Sequence, residues 1–339
     1  MVNLNDMKEL ISATHLQALP RDASPRHYFR GEKDGRSFIL MYYPEASGDN
    51  RGELLNFITI GEILTKQSIK TPALYEIQEQ QCLALFEDLG TDSFGACLRQ
   101  GTVDEVTLYS LATDVLIQMR TINSDGSLPT YANSGIVENR RQLIDYYMRF
   151  QKRCILAPNV CDGYYATLEA IETSLPPCPQ GFVHGDYHLE NLMYVKDNDD
   201  RYVCGLIDYQ DAMFGPLPYD LINLLEDARA DISGEVYTKM MNLYCADMSA
   251  DECEAFQKWF RFLAVQFHGR VLGLFIKLSV EQGRDKYLAH IPRLQKYILN
   301  SLKDPILQPL KQWFDKVGLD FEVRNDLDGD MLRSIFDNM

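Results

Sequence analysis

The sequence predicts an α+β chain of two lobes, a small β-rich one followed by a larger helical one. Three observations carry this. The first ninety or so residues alternate β-type runs with one long helical stretch. From residue 104 onward the apolar spacing turns helical. Short strand-like patches near 181–184, 192–195 and 202–208 then interrupt the helices. A chain of 339 residues is long enough to give each lobe a sizeable core. The boundary is expected at 89/90, with the β-rich lobe over 1–89 and the helical lobe over 90–339.

The elements follow in order. Residues 3–13 fit a short amphipathic helix. Strands are expected near 15–19, 26–32 and 36–43, because Asp34-Gly35 lies between β-rich runs and such a dipeptide signals a hairpin turn. The loop PRDASPR joins the first two strands. From Arg51 the positions of Leu54, Phe57, Ile58, Ile63 and Leu64 fall close to helical spacing, and Pro72 ends the run. Strands over 73–78 and 82–87 complete the first lobe. The segments VTLYSLATDVLIQMR, VENRRQLIDYYMRFQ and YYATLEAIETSL then read as helices, closed by Pro176, Pro177 and Pro179. The strand-like patches come next, with a turn at 198–200. Beyond Pro218 the chain is helix upon helix, without repeats or low-complexity segments. A β-rich lobe before a helical lobe that carries embedded hairpins is the outline of a protein-kinase-like fold.

Composition narrows the function classes. Forty-nine acidic against thirty-three basic side chains give a net charge of −16, which repels nucleic acid and anionic membranes alike. The N-terminus lacks the basic and apolar regions of a signal peptide, and no apolar run suggests a membrane span. The expectation is a cytoplasmic protein acting on a small molecule. Its eight cysteines form no CxxC pair and no zinc spacing, so they read as small core residues in a reducing compartment.

The stretch FVHGDYHLEN places His184, Asp186 and Asn191 at fixed offsets, and Asp208 follows the apolar residues Gly205, Leu206 and Ile207. Kinases use such a His-x-Asp-x-x-x-x-Asn loop with a later strand-end Asp. Phosphoryl transfer needs one acid to orient the attacking hydroxyl and two oxygen ligands for magnesium on the phosphates. Asp186 takes the first role; as a weak base at neutral pH it orients more than it abstracts. Asn191 and Asp208 offer the hard oxygens that suit Mg²⁺. His184 braces the loop. The competing reading has Asp186 and Asn191 as turn caps beside a strand-end acid.

HGDYHLENLM followed by GLIDYQDAMFGPLPYDLINLLED resembles the aminoglycoside phosphotransferase/choline kinase family. IDYQDAMFGPLPYDL is most similar to its bacterial anomeric N-acetylmuramate/N-acetylglucosamine kinase branch. SPRHYFRGEKDGRSFILMYYP, LALFEDLG and VQFHGRVLGLF agree with it, so the likeness spans nearly the whole chain. It implies an ATP-dependent kinase of a sugar hydroxyl. It also implies a hinge at Glu87, Asp88 and Leu89 whose backbone holds adenine, and a structural role for Asp220.

Two departures from the wider kinase pattern stand out. The strand SFILMYY has Met41 or a neighbour where a phosphate-binding lysine is expected, and Glu53 and Glu62 on the next helix lack an evident partner. The loop PRDASPR has no glycine, leaving Ser24 and Arg26 to meet phosphate; an arginine presents a planar fork to it. For the acceptor, Asp211 and Gln210 are the first candidates, with His188 and Glu190 beside them and Tyr187 and Tyr209 adjacent. Gln266, His268 and Arg270 share a helical face, where Arg270 could meet a carboxylate or all three simply belong to a core-and-surface helix. An aminoglycoside, choline or other amino alcohol is the alternative acceptor. A catalytically inactive nucleotide-binding scaffold is the alternative of another class, motivated by the missing lysine.

Overall fold

Helix α1 (Leu4–Leu10) and strand β1 (His15–Ala18) open the chain. The computed structural model describes residues 4–20, 26–44, 50–123, 126, 128–324 and 326–339. Next come β2 (His27–Lys33), β3 (Arg36–Tyr42), α2 (Asn50–Lys66), β4 (Leu74–Gln78), β5 (Leu83–Glu87), α3 (Phe94–Gln100) and α4 (Glu105–Met119). Helices α5 (Gly135–Glu138), α6 (Arg149–Lys152) and α7 (Pro158–Ser174) lead to β6 (Gln180–Val183), β7 (Leu192–Lys196), β8 (Tyr202–Leu206) and β9 (Met213–Pro216). The rest is helical: α8 (Pro218–Leu225), α9 (Gly234–Cys245), α10 (Ala250–Gln282), α11 (Ile291–Ser301), α12 (Gln308–Val317) and α13 (Gly329–Asp337). The β-sheet N-terminal region and helical C-terminal part agree with the predicted fold class.

The chain divides into two compact units, Met1–Ile122 with His184–Ala212 and Asn123–Val183 with Met213–Met339. The sequence boundary at 89/90 follows lobes; these units follow contacts, and they group the 184–212 segment with the sheet.

In the first unit an antiparallel sheet has the order β1-β2-β3-β5-β4. Asp34 and Gly35 both adopt positive φ (53° and 74°), as a two-residue type I′ hairpin demands, and this sets Lys33 opposite Arg36. Strand alternation then sorts the faces. Phe29, Phe38, Leu40, Leu83 and Leu85 form a core with Met7 and Ile11 beside α1. Arg26, Tyr28, Arg30, Ile39 and Phe86 line a cleft on the other face. Helix α2 buries Leu54, Phe57, Ile60 and Leu64, with Phe57 edge-on to Phe86 at 5.0 Å. Ile60 therefore takes the inward place expected of Ile63. Ser93 and Asp104 cap α3 and α4 by accepting backbone N–H bonds from Ala96 and Thr107. A hairpin, β7–β8, completes the unit.

In the second unit β6 pairs with β9. Strand β9 was not anticipated, because a short MFGP run gives little β signal and its partner lies some thirty residues back. Helix α10 begins at a Ser249/Glu252 capping box and ends at left-handed Gly283. Its length and composition would let it cross a membrane, but 72% of its most apolar window is buried, which makes it a core helix. VENRRQLIDYYMRFQ, expected as one helix, is broken into α5, a 3₁₀ turn, a π-helical turn over Leu143–Met148, and α6. The break coincides with the close approach of Gln142 to α10, where a Cβ at Gly273 would collide with the Gln142 carbonyl. Of the eight cysteines, Cys97, Cys204 and Cys245 are buried, while Cys154 is exposed.

Candidate active site

The loop after β6 is built by its own hydrogen bonds. His184 is fully buried; its Nε2 lies 3.1 Å from the Ile207 carbonyl, and its Nδ1 accepts the Asp186 N–H at 3.3 Å. That pairing fixes the tautomer with the proton on Nε2. Burial pushes the imidazole pKa down to about 4, so the ring is neutral and serves as a brace. Gly185 supplies the turn, with φ of 90°. Asn191 Nδ2 donates 3.0 Å bonds to both the carbonyl and Oδ2 of Asp186. This fixes the amide, with its nitrogen on Asp186 and its oxygen turned away.

The Asn191 carbonyl accepts the Ile207 N–H at 3.1 Å, which brings Asp208 alongside. Strand β8 stops two residues before the expected end because Asp208 is left-handed, with φ of 60°. That conformation is strained for a residue with a Cβ. Asn191 and Asp208 both line the cleft, whose volume is ≈ 680 Å³, within the range of small-ligand sites. Among the described residues no three His, Cys, Asp or Glu side chains group as metal ligands. A pair of hard oxygens is nonetheless the set with which proteins hold Mg²⁺ on a nucleotide, because phosphates and water complete the shell. The residues present therefore fit that ion.

Arg26 stands where the first unit lacks its strand lysine. Its Nη1 is 3.2 Å from Asp208 Oδ1, and its side chain is only 10% exposed. Tyr28 hydrogen-bonds to it. Burial raises the Asp208 pKa, and Arg26 opposes that shift. Met41 is buried, and Glu53 and Glu62 are exposed, so no lysine–glutamate pair links β3 to α2. Ser24 lies outside the described residues.

At the expected hinge, acidic side chains are tied into ion pairs. Lys70 Nζ meets both Glu87 oxygens at 2.8 and 2.6 Å. Arg30 grips Asp88 through Nε at 2.8 Å and Nη2 at 3.0 Å. Glu87, Asp88 and Leu89 all line the cleft, and among the described residues the Leu89 N–H finds no backbone partner. Ile39, Phe86, Met193 and Ile207 give the cleft apolar walls. Arg30 and Lys70 were not singled out in the sequence. For Arg30 the signal was present: Tyr28 and Arg30 alternate along β2, with Arg26 at the same spacing just ahead of it, and all three line the cleft.

The acceptor candidates separate. Gln210 Nε2 donates to Asp211 Oδ2 at 2.7 Å, and Gln210 is buried while Asp211 is exposed. His188 spends Nδ1 on the Glu190 N–H at 3.2 Å and holds Nε2 3.3 Å from Asp186 Oδ2. Glu190 forms an ion pair with Arg99 and accepts from Ser93 Oγ at 3.0 Å. Tyr187 is buried and donates to the Ala112 carbonyl, and Tyr209 is buried on Phe57 at 4.4 Å; neither is an exposed platform. In the second unit Asp220, Gln266 and His268 are buried. His268 lies 2.6 Å from Glu226.

A cleft lined by Asn191 and Asp208, with Asp186 hydrogen-bonded to that asparagine, on a kinase-like frame fits a phosphoryl-transferring enzyme. A model of the phosphotransferase enzyme family matches residues 15–266; the chain belongs to that family and is a small-molecule kinase. It is 28% identical over 332 residues to an N-acetylmuramate/N-acetylglucosamine kinase of Caulobacter vibrioides, covering 88% of this chain and 91% of the relative. Kinases of the same name from Pseudomonas putida and Neisseria meningitidis are 27% and 26% identical, covering 85% and 82% of this chain, and 84% and 82% of the relatives. Among solved structures, an ADP-bound aminoglycoside phosphotransferase superposes with TM-score 0.58 at 14% identity, covering 87% of this chain and 95% of that one. A choline kinase of Streptococcus pneumoniae gives 0.58 at 12%, covering 88% and 99%. At such identities the likeness of structures speaks for the fold.

Proposed function

We propose that the protein transfers the γ-phosphoryl group of ATP to the anomeric hydroxyl of an amino sugar of the N-acetylmuramate/N-acetylglucosamine type. The carrying observation for the chemistry is that Asn191, to which Asp186 is pinned, lines one cleft with Asp208. For the acceptor it is the common name of relatives that match 82–88% of the chain. Asp186 holds the sugar hydroxyl in line for attack. The amide oxygen of Asn191 and the carboxylate of Asp208 hold Mg²⁺, which neutralises charge on the phosphates when bound. Arg26, with Ser24 two residues before it in sequence, meets the phosphate tail. Adenine lies against the apolar walls and takes backbone bonds from residues 87–89. Gln210 and Asp211 present acceptors to sugar hydroxyls, while His188 and Glu190 hold the acceptor side of the loop in shape.

The test is ADP release with Mg-ATP and a panel of N-acetylmuramate, N-acetylglucosamine, kanamycin and choline. Turnover with the two amino sugars is expected. Turnover only with the cationic acceptors rejects the sugar assignment. No turnover with any acceptor, together with unchanged ATP binding in Asp208→Ala, points to an inactive scaffold.

A further inference from the structure

The linker between α2 and β4 grips the chain on both sides of Asp208. The Lys70 carbonyl accepts the Leu206 N–H at 2.8 Å, and Lys70 forms a parallel bridge with Gly205. The next residue, Thr71, hydrogen-bonds through its hydroxyl to Tyr209. Two consecutive linker residues therefore hold positions 206 and 209. Asp208, left-handed with φ of 60°, lies between the two grips.

The bond to Tyr209 ends a chain of hydroxyls whose direction is fixed. Thr65 Oγ1 donates to the Gly61 carbonyl at 2.8 Å, which uses its one proton. The Oγ1 atoms of Thr65 and Thr71 are 3.0 Å apart, so Thr71 is the donor between them. The Thr71 oxygen is then left to accept from the Tyr209 O–H. Thr71 is 7% exposed and Tyr209 1%. Removing the threonine hydroxyl thus takes the acceptor from a buried phenol, where a lost partner is costly. The linker is itself anchored to β5. Lys70 Nζ meets both Glu87 oxygens, and Ala73 donates its N–H to Glu87 Oε2 at 3.1 Å while its carbonyl accepts the Glu87 N–H at 2.8 Å. A left-handed residue with a Cβ persists only where its surroundings impose that conformation. An anchored linker that holds both flanks of Asp208 is such a surrounding.

We propose that Thr71 is a positioning residue for phosphoryl transfer, which acts through Tyr209 to keep Asp208 in the backbone conformation that serves as a Mg²⁺ ligand. Thr71 touches neither nucleotide nor acceptor in this role. It sets the backbone of a residue that does, as outer partners do around metal ligands in general. The role assigned to Asp208 rests on the kinase reading above. Phe57 stacks on the Tyr209 ring at 4.4 Å, so packing holds the ring in place and the hydroxyl bond sets its height along α2.

The test separates metal from nucleotide. Binding of Mn²⁺, a paramagnetic substitute for Mg²⁺, to the ADP complex is followed by water-proton relaxation, and ADP affinity in EDTA is measured by calorimetry. Wild type, Asp208→Ala, Thr71→Val and Thr71→Ser are compared, each checked by thermal melting. Thr71→Val keeps the shape and loses the hydroxyl; it is expected to weaken Mn²⁺ binding on the order of tenfold and to leave metal-free ADP affinity within about twofold. Thr71→Ser keeps the hydroxyl and should bind Mn²⁺ as wild type does. If Thr71→Val melts below the native range, Tyr209→Phe removes the same bond while keeping the ring on Phe57, and the same outcomes apply to it. The proposal is overturned if the variant without the bond binds Mn²⁺ like wild type, if it loses metal-free ADP affinity to the same extent, or if Thr71→Ser behaves like Thr71→Val. Should Asp208→Ala bind Mn²⁺ as wild type does, the metal role of Asp208 fails first, and the proposal falls with it.

Discussion

Acidification should loosen the catalytic loop through one residue. His184 is fully buried and has both ring nitrogens engaged. Its pKa falls from the ordinary 6.5 to about 4 in the fold. The sign follows from linkage: below 6.5 the unfolded chain takes up a proton that the folded ring refuses, so the stabilisation present at neutral pH is lost as pH falls through this window. Each pH unit costs about 1.4 kcal/mol, so roughly 2 kcal/mol is gone by pH 5. The assay is urea unfolding of wild type and His184→Gln at pH 7 and pH 5. The variant loses hydrogen-bond geometry and is expected to be about 1–2 kcal/mol less stable at pH 7. Because glutamine does not titrate, the gap should close or reverse by pH 5. Curves that fall in parallel with pH would refute the neutral buried brace.

Two further outcomes follow from the cleft. Asp186→Ala should lose several orders of magnitude in kcat with a small change in the KM for ATP, as for a group acting mainly in the transition state; near-normal turnover in steady-state assays would remove it from that role. Arg26→Met should cost on the order of tenfold to a hundredfold in kcat/KM for Mg-ATP and move the acid limb of the pH–rate profile upward, since Arg26 opposes the burial-driven rise of the Asp208 pKa. Adding Met41→Lys in that background should restore part of the loss, and kinetics within twofold of wild type in the single variant would exclude Arg26 from phosphate binding.

The hairpin at Asp34-Gly35, the positions of the first five strands and the spacing of Asp186, Asn191 and Asp208 were legible because each is a local rule: a turn residue, a β-rich run, a fixed offset. The ion pairs that clamp Glu87 and Asp88 were not, since Lys70 lies 17 residues and Arg30 58 residues from its partner, and nothing local pairs them. The π-helical turn at 143–148 escaped for a similar reason. Its residues read as good helix formers, and the contact that accompanies the break is made by a glycine on a helix more than a hundred residues away.

The missing lysine looks like a defect in the sequence and like a relocation in the structure. Tyr28 on β2 stands directly opposite Met41 on β3, so the two share a face. Arg26 lies two residues before Tyr28, just ahead of β2, on that cleft side. A side chain from the segment ahead of β2 thus places a cation against Asp208, where β3 carries no lysine. The second duty of a lysine–glutamate pair is to couple α2 to the site. Here α2 reaches the residues that follow β8 directly. Asn56 donates to the Gln210 carbonyl at 2.8 Å, Phe57 stacks on Tyr209, and Gly61 leaves room for the Tyr209 hydroxyl, which would sit 2.8 Å from any Cβ there. The helix is therefore fastened to residues 209 and 210, next to the strained Asp208, by packing and a hydrogen bond. Such contacts keep their strength at high salt, where an exposed ion pair is screened.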